Sequence, residues 1–90
     1  MKHDILVKMK RPTLIYQNTK PKRPIDQAAT AAAALAYRKA SGLSQEEVAG
    51  AIGLSSSLIS YLETADRKWT EDLFKEYIAA IDRLKAVQPA

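Results

Sequence analysis

Leu43-Ser-Gln-Glu-Glu-Val-Ala-Gly-Ala-Ile-Gly-Leu-Ser-Ser-Ser-Leu-Ile-Ser-Tyr-Leu62 is the stretch that decides how this chain folds. Ser44 suits a helix N-cap, and Glu47 stands three positions later, the spacing of a capping box. Val48, Ala49 and Ile52 follow as one apolar stripe at helical spacing. Gly53 interrupts the helix and supplies a turn conformation that a Cβ would penalise. Ser55 caps a further helix that carries Leu58, Ile59 and Leu62. The segment therefore predicts a short helix, a tight glycine turn and a second short helix. Ala49 is small where the two helices cross, and Val48, Ile52, Leu54, Ile59 and Leu62 point inward to fix the crossing angle. Ser56, Ser57, Ser60 and Tyr61 are left on the outer face of the second helix.

The helical pattern extends to both sides of this pair. Asp26 caps a preceding helix through Ala28–Lys39, rich in alanine, the best helix former. Gly42 can take the left-handed conformation that ends it. Thr64–Trp69 reads as a loop, with Trp69 as a lid on the core. Thr70 caps a last helix whose acidic Glu71 and Asp72 match the helix dipole. Leu73, Phe74, Tyr77, Ile78, Ile81 and Leu84 form its apolar face. The expected fold is all-α, a compact bundle of four to five helices over residues 25–90.

Residues 1–24 read differently. Pro12, Pro21 and Pro24 forbid a regular helix there. Ile5–Met9 and Thr13–Gln17 are β-prone runs around a possible turn at Lys10-Arg11-Pro12. A hairpin, a strand lent to a partner and an arm that orders only on binding all fit. An isolated two-stranded hairpin is marginal in water, so the arm is expected to be mobile unless something covers it. The net charge of +4 is concentrated here: residues 1–27 carry seven bases and two acids (+5), and residues 28–90 seven bases and eight acids (−1). A basic arm holding Lys20, Lys22 and Arg23 suits a polyanion, or is a solvated tail.

Composition excludes much else. There is no cysteine, so neither disulfides nor thiolate metal sites arise, and the one histidine, His3, is read as solvated. No glycine-rich phosphate loop or carboxylate pair in an evident cleft points to catalysis; Glu46 and Glu47 are adjacent on a helix and diverge. No enzyme and no cofactor is expected. No apolar run reaches the ~18 residues that would span a bilayer, and lysines interrupt the start of the chain where a signal peptide would be apolar. A cytoplasmic protein without a membrane partner is the expectation.

The exposed residues of the second short helix can face base edges in a major groove. The Ser55–Ser57 run is alternatively a cap with solvated hydroxyls, and Tyr61 alternatively packs on the surface. Gln45 opens the first short helix, where its side chain and free backbone N–H groups can hold a phosphate.

Residues 35–81 resemble the Xre/Cro-like, lambda-repressor-like helix-turn-helix family. The motif comprises Arg38-Lys-Ala-Ser-Gly-Leu-Ser-Gln-Glu-Glu-Val-Ala, then Ile52-Gly-Leu-Ser, then Leu58-Ile-Ser-Tyr-Leu-Glu63. The resemblance implies a bundle that binds double-stranded operator DNA, usually as a homodimer. By position it implies phosphate contact by Gln45, base reading by Ser56, Ser57 and Tyr61 with Ser55 and Ser60 nearby, and backbone contact by Arg67 and Lys68. It also implies a structural ion pair between Arg38 and Glu63. Ala65 and Asp66 stand where the family commonly has a glycine, and Trp69 near a frequent proline.

The leading expectation is a sequence-specific transcriptional repressor of a phage, plasmid or other mobile element, acting as a dimer on a palindromic operator. An antitoxin is the alternative: the helical part binds DNA, and the arm engages a toxin or co-regulator. A module that uses the second short helix against another protein is a third.

Overall fold

The computed structural model describes residues 11–17 and 24–87. Four helices account for most of these: α1 (Gln27–Ala40), α2 (Gln45–Ile52), α3 (Ser56–Glu63) and α4 (Glu71–Val87). Helices α1 and α2 each pack on both α3 and α4, so the short pair is held between the two longer helices.

Each helix starts where a short polar side chain can take up a free N–H. Asp26 accepts from Ala29 N at 3.0 Å, Ser55 from Leu58 N at 3.1 Å and Thr70 from Leu73 N at 3.1 Å. Ser44 and Glu47 form the reciprocal box: Glu47 N donates to Ser44 Oγ at 3.0 Å and Ser44 N to Glu47 Oε1 at 2.8 Å. Each such cap contributes ~1 kcal/mol. The turns between helices follow from backbone sterics. Gly42 and Gly53 take left-handed φ of 73° and 74°, and Leu54 N then reaches back to Ala49 O at 2.9 Å.

The core forms around Trp69, which is buried more deeply than a lid requires. It is 2% exposed, its Nε1 donates to Leu62 O at 2.9 Å, and its ring meets Phe74 and Tyr77 edge-on. Such aromatic pairs add ~0.5–1.5 kcal/mol each beyond the area they bury. The Gln27 side chain grips the Trp69 backbone from α1, accepting from its N–H and donating to its carbonyl. Val48, Ile59 and Leu62 are buried as their spacing predicts, whereas Ile52 and Leu54 are half-buried at the margin of the core.

Residues 11–17 lie against the helices. Asp26 N donates to Ile15 O and Gln17 N to Pro24 O, both at 2.7 Å, around an isolated antiparallel bridge of Tyr16 with Ile25. The buried Thr30 hydroxyl lies 3.3 Å from both N and O of Ile15. Leu14 packs on the core, and Arg11 pairs with Asp82. The bundle thus docks the Thr13–Gln17 run through Leu14 and its main chain, and leaves the other side chains of the run exposed. Ile5–Met9 lies outside the described residues, as do Lys20, Lys22 and Arg23. Among the described residues, no helix is long and apolar enough to cross a membrane.

Candidate nucleic-acid interface

Helix α3 presents two kinds of polar side chain. Ser57 and Tyr61, one turn apart, are exposed, Tyr61 to 52%. Ser56 and Ser60 are only half-buried, contrary to the fully outward position expected of them. The reason is helical geometry: each stands three residues before a buried side chain, Ile59 and Glu63, and so lies on the flank of the inner stripe. Ser55 uses its hydroxyl oxygen as the α3 cap, leaving its proton free to donate.

The loop after α3 is folded back onto the helix end. Asp66 N and Arg67 N both donate to Tyr61 O, at 2.8 and 3.2 Å, and Ala65 N donates to Leu62 O at 3.2 Å. The Thr64 hydroxyl closes the turn, 2.7 Å from Asp66 Oδ2 and within reach of the Ser60 and Tyr61 carbonyls. Ala65 takes the left-handed region, with φ 64°, where a glycine would be unstrained. This geometry fixes the Arg67 backbone beside Tyr61. The Arg67 and Lys68 side chains are both exposed.

Behind this surface lies a single saturated carboxylate. Glu63 Oε2 accepts from Arg38 Nε at 2.6 Å and from the Tyr77 hydroxyl; Oε1 accepts from Arg38 Nη2 and Gln45 Nε2, both at 2.9 Å. Four donors fill the acceptor positions a carboxylate offers. Arg38 Nη1 turns aside to Leu43 O at 2.8 Å. Burial pushes the Glu63 carboxyl up, but the bonds from Arg38, Tyr77 and Gln45 together hold it below its ordinary value. Its hydrogen bond to Glu63 raises the Arg38 guanidinium further, against the effect of burial. Burial first, then the bond to Glu63, pushes the Tyr77 hydroxyl up. Arg38 is 7% and Glu63 5% exposed, so both are turned into the bundle.

Gln45 therefore stands between the two groups. It is half-buried at the first position of α2, with one side-chain N–H committed to Glu63. The sequence reading placed Tyr77 in the core but missed its hydroxyl as a Glu63 partner; an aromatic with a polar tip on an otherwise apolar face is the one signal that could have revealed it. Glu46 and Glu47 are exposed at the start of α2, with the Glu47 carboxylate already engaged by the Ser44 N–H.

The family model described as a helix-turn-helix domain matches residues 29–89, which span all of α2, α3 and α4 and all but the first two residues of α1. Comparison with curated proteins and with solved structures gives no match.

Proposed function

This chain belongs to the Xre/Cro-like helix-turn-helix family, and from that premise we propose that it is a sequence-specific transcriptional repressor acting as a dimer on a palindromic operator. One observation carries the proposal: Ser57 and Tyr61 project from a Gly53-hinged helix beside Arg67. Helix α3 enters the major groove; Ser57 and Tyr61 reach base edges, with Ser55, Ser56 and Ser60 at the margins. Gln45 and the N-terminal N–H groups of α2 take one phosphate, and Arg67 and Lys68 take others. Lys20, Lys22 and Arg23 add to the polyanion attraction from the arm. Serines make no bidentate base contacts, so Tyr61, bridging water and DNA shape carry much of the discrimination. The protein works in the cytoplasm, and its role is recognition rather than chemistry.

An antitoxin role is the second reading. It is favoured by Ile15 and Tyr16, apolar side chains exposed on extended backbone. A partner strand adding there would meet both side chains and the Tyr16 main chain, since Ile15 and the Gln17 N–H already bond within the fold. Co-purification with the neighbouring gene product, lost on removing residues 1–24, supports this reading.

The repressor proposal is tested by a gel shift with the DNA upstream of the protein's own gene. The expected shift resists random competitor and weakens with salt, with a slope of about −0.9 per phosphate contact. A shift equally strong with every sequence overturns specificity.

A further inference from the structure

We infer that Glu63 is a positioning residue for DNA binding, acting through Gln45; this rests on the reading of Gln45 as a phosphate contact. A glutamine amide has two N–H donors and one carbonyl, and as a free side chain it presents any of them. Here Glu63 Oε1, itself fixed by Arg38 Nη2, accepts one Gln45 N–H at 2.9 Å. A carboxylate accepts only, so this bond also settles which end of the amide turns inward. The second N–H remains available at the start of α2, next to the backbone N–H groups of Gln45 and Glu46, which lie between the two that the capping box uses, those of Ser44 and Glu47. Glu63 ends α3 and Gln45 begins α2. One buried carboxylate thus ties the groove-entering helix to the phosphate-gripping side chain and fixes their mutual placement before DNA arrives. That reduces the ordering that binding would otherwise require.

The test is a double-mutant cycle in the full chain: wild type, Gln45→Ala, Glu63→Gln and the double variant. Affinity is measured by fluorescence anisotropy at fixed salt with a labelled duplex of about two helical turns from upstream of the gene. Gln45→Ala is expected to weaken binding about ten-fold, the loss of one hydrogen bond to a charged group. Glu63→Gln should weaken the wild type comparably but change the Gln45→Ala variant less than roughly two-fold. Tyr77→Phe is the control for a merely structural effect. It removes a different donor from Glu63, leaves the Gln45 bond intact, and should hold affinity within about two-fold.

Multiplicative losses in the cycle, or an unchanged affinity for Gln45→Ala, overturn the inference while leaving DNA binding in place. Failure of the wild type to bind any duplex overturns the functional reading, and this inference with it. Should Glu63→Gln fail to fold, the Gln45 side-chain amide is followed in ¹⁵N-labelled wild type. One proton signal already displaced in the free protein by its bond to Glu63 and little changed on adding the duplex, with the other shifting, supports the inference; two protons that shift alike, or an amide that does not respond, overturn it.

Discussion

Gly53 and Ala65 share a left-handed backbone, with φ of 74° and 64°, but only one of them is the residue type that tolerates it. An L side chain there costs roughly 1–2 kcal/mol, because Cβ crowds the following carbonyl. At Gly53 an added Cβ would meet nothing within 4 Å, so the effect of Gly53→Ala is purely conformational. After allowing for the lower chain entropy of alanine, the expected loss is about 1 kcal/mol. Ala65→Gly runs the other way. It relieves the strain, at the cost of chain entropy and a half-buried methyl, and is expected to be neutral or to stabilise by up to ~1 kcal/mol. Urea denaturation at unchanged slope reads both. A destabilised Ala65→Gly variant would show that the methyl contact outweighs the backbone term.

At the scale of elements, the proposed reading has α3 separate recognition from stability. Tyr61 is 52% exposed and bonds through its backbone carbonyl rather than its hydroxyl. Tyr61→Ala should therefore cost less than ~1 kcal/mol of stability while weakening DNA binding about ten-fold. A melting curve paired with an anisotropy titration checks both halves. The Thr13–Gln17 segment is the opposite case, where one buried hydroxyl adds to the backbone bonds at Ile15 and Gln17 and the packing of Leu14. Thr30→Val keeps the shape of the side chain but removes the oxygen beside Ile15 N and O. It is expected to cost ~1–3 kcal/mol and to speed amide exchange of Ile15 and Gln17 ahead of the helices. Exchange unchanged at those amides would mean that Leu14 and the Arg11–Asp82 pair suffice to dock the segment. These two elements also mark what a reader of the sequence could foresee. The caps at Asp26, Ser44, Ser55 and Thr70 and the turns at Gly42 and Gly53 are local, so residue type and spacing reveal them. The Arg38–Glu63 pair was expected only through family resemblance, since its members lie 25 residues apart. The Gln27 grip on Trp69, across 42 residues, and the Thr30 contact with Ile15, across 15, leave no local trace. For the interface, the outward position of Ser57 and Tyr61 was legible in the helical period. The half-burial of Ser56 was open to the same period, three residues before the inward Ile59, but that of Ser60 was not, because it follows from the burial of Glu63, a charged residue outside any apolar stripe.

Over the whole molecule, all four helices converge on Glu63: Arg38 from α1, Gln45 from α2, Glu63 itself from α3 and Tyr77 from α4. Removing one partner of a buried pair typically costs ~3–5 kcal/mol, a large part of the ~5–15 kcal/mol that holds a domain together. The same junction gives the fold a predictable pH response. The folded Glu63 carboxyl sits below the ordinary 4.5, so folding favours its charged form. Its contribution is complete above that value and is lost as pH falls through the lower folded one. At the alkaline end Tyr77 is raised above the ordinary 10. Folding there favours the neutral phenol, whose contribution is complete below pH 10 and is lost as pH climbs beyond it. Urea titrations from about pH 2 to 11 should therefore show a plateau near neutrality with two falling limbs. Glu63→Gln should lower the plateau and flatten the acid limb, while Tyr77→Phe should flatten the alkaline limb. If the acid limb of Glu63→Gln ran parallel to that of the wild type, the carboxylates responsible for acid unfolding would lie elsewhere, and Glu63 would join the helices without making their union depend on pH.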